Sequence, residues 1–118
     1  MIAHIVLFTP RKSLTQSETL AFSQLVQLTF ASIPQIRRAV VGRRIDVDPG
    51  YARSFGDKAY EYAAVLEFDG KDELVAYLTH PLHHRLGRMF WETCDSTVVM
   101  EVACVDGKDA VSVEVLVK

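Results

Sequence analysis

The sequence predicts an α+β fold in which one antiparallel sheet carries its helices on a single face. Three observations carry that expectation. Short β-branched and aromatic runs of period two alternate with stretches of helical period. Their order is strand, helix, strand, strand, helix pair, strand, which is the βαβ unit taken twice. The chain has 118 residues, 49% hydrophobic and 24% charged, enough to fill one core but not two.

The opening run Ile2-Ala3-His4-Ile5-Val6-Leu7-Phe8 is short, β-branched and aromatic and stopped by Pro10, so it reads as a strand buried on both faces. Alternation places His4, Val6 and Phe8 on one side and Ile5 and Leu7 on the other. Thr15 and Glu18 have the spacing of a capping box. The helix they open runs to Pro34 and carries Ala21, Phe22, Leu25, Val26, Leu28, Thr29 and Ile33 in one stripe.

Ile36 to Ile45 suits an edge or dimer-facing strand, with Gly42 marking a bulge. Asp46 to Lys58 holds Pro49, Gly50 and Gly56 without a period and reads as a mobile or functional loop. Tyr60 to Asp69 returns to strand pattern, with Tyr62, Ala64, Leu66 and Phe68 on one face and Ala63, Val65 and Glu67 on the other. Glu67 calls for a partner, for which Arg37 or Arg43 across an interface would serve.

A helix with Leu74, Val75, Tyr77 and Leu78 follows, and His80-Pro81 interrupts it. Pro81 fits best as the first residue of a new helix, which buries Leu82, Leu86, Met89, Phe90 and Thr93. Thr97 to Val105 forms the next strand, and Asp106-Gly107-Lys108-Asp109 a turn. Val111 to Val117 alternates again, so residues 106–118 read as a C-terminal extra strand of a single domain spanning 1–118.

This order gives a ferredoxin-like antiparallel sheet. Its face away from the helices carries Ile5, Leu7, Ala63 and Val65, an apolar patch that a monomer would expose. A homodimer packed through the sheet faces removes it.

Composition excludes several classes. With 13 basic and 15 acidic residues and no basic block, the chain lacks the footprint of a nucleic-acid binder. No apolar run reaches membrane-spanning length, and the N-terminus has no basic leader, so a soluble cytoplasmic protein is expected. Cys94 and Cys104 match no metal or redox spacing and read as small buried or half-buried thiols of a reducing compartment, with a disulfide as the alternative. No glycine-rich fingerprint is present, so no cofactor is expected. His80 with His83 or His84 has ligand-like spacing, but nothing nearby completes a set, so no metal is expected either.

Three histidines and a tyrosine crowd into Tyr77-Leu78-Thr79-His80-Pro81-Leu82-His83-His84. His80 before Pro81 is an N-cap or corner residue, and the pair His80 and Pro81 is structural. Helical spacing sets His83 beside Leu86, Gly87 and Phe90, with Gly87 leaving room above the imidazole. A histidine so placed can exchange protons at neutral pH, or simply be a satisfied half-buried side chain. Tyr77 can share its proton, or sit in the core with its hydroxyl satisfied.

His4-Ile5-Val6-Leu7-Phe8, Tyr62-Ala63-Ala64-Val65-Leu66-Glu67-Phe68 and Tyr77-Leu78-Thr79-His80-Pro81-Leu82-His83 together resemble the stress-responsive dimeric A/B barrel (Dabb) proteins. The resemblance covers roughly residues 1 to 104 in element order and implies the dimeric α+β barrel. Its polyketide cyclase branch implies His83 and Tyr77 as an acid–base pair. His4, Val6, Phe8, Leu66 and Phe68 would then form the floor of a ligand pocket. Phe22, Val26 and Trp91 would form its walls, with Leu86, Gly87 and Phe90 beside the imidazole.

The resulting expectation is a protein that binds a small apolar or aromatic molecule, as a cofactor-independent cyclase or isomerase. A cofactor-independent monooxygenase-like barrel and a non-catalytic stress-response dimer with no open pocket stand as alternatives. An open cavity bounded by His83 and Tyr77 separates them, because Met89, Phe90 or Trp91 would plug it in the non-catalytic case.

Overall fold

The two runs that are apolar on both faces pair at the centre of the sheet. β1 (Ile2–Pro10) and β3 (Tyr62–Phe68) are antiparallel, with His4 opposite Leu66 and Val6 opposite Ala64. β2 (Arg38–Arg43) adds to the outer edge of β3, and β4 (Cys94–Ala103) to the outer edge of β1. The order β2-β3-β1-β4 is that of a ferredoxin-like α+β fold. These elements come from a computed structural model that describes residues 1–45, 47 and 60–112.

α1 (Gln16–Ser32) starts at the expected capping box. The Glu18 amide donates to the Thr15 hydroxyl, and the Thr15 amide donates to the Glu18 carboxylate. Hydrogen bonds from Thr15, its backbone amide foremost and then its side chain, hold the Glu18 carboxyl below its usual range. Phe22, Leu25, Val26, Thr29 and Ile33 are buried, and the buried Thr29 hydroxyl donates to the Leu25 carbonyl at 2.7 Å. Ala21 and Leu28, expected in the same stripe, are exposed, because the sheet covers a narrower arc of the helix than their spacing requires.

α2 (Lys71–Leu78) buries Leu74 and Tyr77 but exposes Val75. α3 (Pro81–Thr93) begins with Pro81 in its first turn, as expected, and buries Leu86 and Thr93. The core lies between helices and sheet, around Phe8, Leu66, Phe68 and Tyr77. The opposite sheet face carries half-buried Ile5, Leu7 and Val65 and exposed Val40, Val98 and Met100.

Other details differ from the sequence reading. The β2–β3 register runs unbroken through Gly42, opposite Ala63, so there is no bulge there. Arg43 faces the helix side opposite Tyr62, and Arg37 pairs with Asp69 at 3.4 Å. Arg38 is the residue directly opposite Glu67 on the other face. β4 begins at Cys94 rather than Thr97, directly from α3. Both cysteines are free thiols.

A 3₁₀ turn spans Gly107–Ser112, so the expected final strand does not begin at Val111. The rest of that strand, 113–118, and most of the expected loop, 46 and 48–58, lie outside the described residues. Among the described residues no helix is long and apolar enough to cross a membrane.

Candidate functional site

The break between α2 and α3 sets the orientation of His83. In a continuous helix the Leu82 amide would donate to the Leu78 carbonyl. Here Leu82 donates instead to His80 Nδ1 at 3.0 Å, because His80 is extended and caps α3. The Leu78 carbonyl is thereby left for His83 Nδ1, which lies 3.0 Å away. A carbonyl only accepts, so His83 carries its proton on Nδ1 and keeps Nε2 as the basic nitrogen. His80 has the opposite tautomer, its Nδ1 accepting and its Nε2 protonated.

A second histidine is oriented from the sheet. His4 is buried on the helix-facing side of β1, and its cross-strand neighbour on β4 is Glu101. The His4 Nδ1 to Glu101 Oε1 distance is 2.7 Å, that of a charge-assisted hydrogen bond. An ionised carboxylate only accepts, so His4 too is protonated on Nδ1 and basic at Nε2.

Tyr77 stands between the two. Its ring meets His83 edge-on at 4.6 Å between centroids and His4 at 5.6 Å, while the histidine rings are 6.5 Å apart. Burial pushes the Tyr77 phenol well above its ordinary range, so it stays protonated and can donate. Burial, foremost, lowers the His83 pKa below its ordinary 6.5; the Leu78 hydrogen bond opposes this, and protonation of His4 or His84 adds to it.

These three side chains wall a cavity of about 760 Å³ that is reached from solvent. Val6, Leu86, Gly87 and Phe90 supply apolar surface, and Trp91 stands at the mouth, 89% exposed. A Cβ added to Gly87 would meet nothing within 4 Å, so the vacancy beside His83 is real space. Cys94 also lines the cavity, and burial raises its thiol pKa, so it is present as the neutral thiol.

The remaining expected pocket residues lie elsewhere. Phe8, Phe22 and Val26 line a separate groove, and Leu66 and Phe68 are fully buried beneath the helices. The reason is an aromatic cluster. Phe8, Phe22 and Phe90 lie 4.8 to 6.0 Å apart between centroids and fill the middle of the layer. His84 is exposed, with only its ring edge towards His83 at 6.3 Å.

Glu101 was not anticipated from the sequence. The available signal is a carboxylate within the apolar stretch Val98 to Ala103, on the same face of the strand as Val99 and Thr97. Among the described residues no three histidine, cysteine or carboxylate side chains come together as a metal site.

Comparison with solved structures finds the same fold repeatedly. The chain is similar to a dimeric protein of ferredoxin-like fold and unknown function from Bacteroides fragilis, with 26% identity, TM-score 0.61 and coverage of 87% of this chain and 95% of that one. It is similar to a dimeric ferredoxin-like protein of unknown function from Thermobifida fusca, with 22% identity, TM-score 0.67 and coverage of 87% and 90%. It is also similar to the hydroxynitrile lyase from Passiflora edulis, with 18% identity, TM-score 0.71 and coverage of 89% and 94%. No curated protein matches the chain. The family model of the stress responsive A/B barrel domain matches residues 2–104, every strand and helix around the His4–Tyr77–His83 cavity, and the chain belongs to that family.

Proposed function

We propose that the protein is a cofactor-independent acid–base catalyst for a small apolar or aromatic compound with an enolisable carbonyl. The reaction classes are aldol-type cyclisation and isomerisation. One observation carries the reading. A cavity of small-molecule size, about 760 Å³, is walled by two histidines with tied Nδ1 atoms and a protonated tyrosine.

In this reading His83 Nε2 removes the proton next to the carbonyl, and the Tyr77 hydroxyl donates to the oxygen as charge develops on it. The lowered pKa keeps His83 neutral near pH 7, the state a general base needs. His83, protonated in that step, returns the proton, and His4, its Nδ1 held by Glu101, presents its unprotonated Nε2 to the cavity as a second acceptor. The apolar walls from Val6, Leu86 and Phe90 strengthen each of these interactions by excluding water. The fold shared with the Passiflora edulis hydroxynitrile lyase is one that houses an enzyme elsewhere.

The native form is a homodimer packed through the outer sheet face, where Val40, Val98 and Met100 are otherwise exposed. The similar Bacteroides fragilis and Thermobifida fusca proteins are dimers.

The test is a screen of aromatic and polyketide-like ketones, followed by deuterium exchange at the acidic carbon in D₂O. The expected result is exchange or turnover without added cofactor, lost in His83→Ala and Tyr77→Phe. Exchange that is unchanged in a folded His83→Ala protein removes His83 as the base. Dioxygen uptake during turnover would favour the oxygenase alternative.

A further inference from the structure

We infer a second small-molecule site, separate from the His83 cavity, that takes an anion with a flat apolar body. It is the groove of about 620 Å³ between α1 and the helix-facing side of β1, β2 and β3, a volume typical of small-molecule sites. It shares no lining residue with the first cavity, and the Phe8, Phe22 and Phe90 rings stand between them.

The groove exists because the helices leave one end of the sheet uncovered. Val41 faces the helix layer, opposite Ala64, yet is 52% exposed. Around it, Phe8 and Tyr62 lie almost parallel at 5.5 Å, with Phe22, Val26 and Phe30 adding apolar wall. Phe8 is buried, so the aromatic surface open to a flat ligand is that of the half-buried Tyr62, backed by the Phe8 ring.

The rim supplies the charge. Arg11, Lys12 and Arg43 line it, together with the carboxylate residue Glu61. Arg11 is already committed to Glu18 at 3.0 Å and to the Glu92 carbonyl. Lys12 and Arg43 have no carboxylate partner among the described residues. Arg43 lies over the Tyr62 ring at 5.9 Å, which holds its guanidinium against that same aromatic surface. Beyond the Arg11–Glu18 pair, the rim therefore has two cations against one carboxylate. A planar guanidinium beside a planar apolar surface matches an aryl carboxylate, whose carboxylate Arg43 can engage with two parallel hydrogen bonds.

Naphthalene-2-carboxylate and its uncharged carboxamide, titrated calorimetrically into the full chain, test the assignment. The carboxylate is expected to bind about tenfold more tightly than the amide, as befits one charge-assisted contact. Arg43→Gln should erase that difference, and Ser23→Trp, which fills the groove, should abolish both. Gly87→Leu, which fills the other cavity, should change neither. Amide chemical-shift changes at Ser23 and Gln27 locate the ligand independently if Ser23→Trp does not fold.

Equal affinity for acid and amide, or no binding at millimolar ligand, overturns the proposal. So does binding that survives Ser23→Trp and vanishes in Gly87→Leu. Binding that appears only after residues 48–59 are replaced by a Gly-Ser linker would mean that this segment occupies the groove, which also overturns it.

Discussion

His4 and Glu101 face each other across β1 and β4, and a 2.7 Å hydrogen bond joins His4 Nδ1 to the Glu101 carboxylate. The imidazole is buried, whereas the Glu101 side chain is 41% exposed, so the pair links the cavity to solvent. Together with the Leu78 carbonyl on His83, it turns two histidines of different elements into the same tautomer.

Those tautomers are visible without a substrate. Long-range proton–nitrogen spectra above pH 7 should show His4 and His83 protonated on Nδ1 and His80 on Nε2. Glu101→Leu should disturb His4 alone and cost about 1–3 kcal/mol of stability, because it leaves a buried donor unpaired. An unchanged His4 signal in that variant would mean that Glu101 does not orient it.

His80→Ala should have two effects. Loss of the N-cap should cost about 1 kcal/mol in denaturant unfolding. With the cap gone, the Leu82 amide can compete for the Leu78 carbonyl, so the His83 tautomer should become mixed. A His83 spectrum identical to wild type would break the proposed link between helix break and base.

The pH dependence has a definite sign. The folded-state pKa of His83 is depressed below 6.5, so between the two pKa values the unfolded chain binds more protons than the folded one. Its contribution is therefore fully present above pH 6.5 and lost as pH falls through the folded pKa. The melting temperature should decline over that window, and less steeply in His83→Gln. Any reaction using His83 as base should have its acid limb below pH 6.5.

Gly87 separates stability from function. A glycine inside a helix costs about 1 kcal/mol relative to alanine, and a Cβ here meets nothing within 4 Å. Gly87→Ala should therefore stabilise the protein by up to about 1 kcal/mol. Gly87→Leu should fold normally but block ligands from the His83 cavity. A Gly87→Leu protein with full activity would place the reaction elsewhere.

The sheet-face dimer can be tested by charge. Met100→Glu and Val98→Lys alter exposed residues of the face away from the helices. Each should convert a sedimenting dimer to a folded monomer at micromolar concentration. A wild-type monomer under those conditions refutes the interface.

Local chemistry made much of this legible in the sequence. The Thr15 and Glu18 cap, the His80-Pro81 break and the alternation of β1 and β3 are short-range effects, fixed by neighbours a few residues away. The same rules placed His83 beside Leu86, Gly87 and Phe90 on one helix face. They overreached at Ala21 and Leu28, where a stripe read from spacing was wider than the surface that covers it.

By itself, then, the sequence determined the order of elements, the ferredoxin-like layering and the corner that aims His83. Only the tertiary structure decided that His4 meets Glu101, 97 positions along the chain, since that contact depends on strand register. It also decided that Phe8, Phe22 and Phe90 divide the expected single pocket into a cavity and a groove. Those rings come from three elements, and periodicity within any one of them says nothing about how deep a side chain from another will reach.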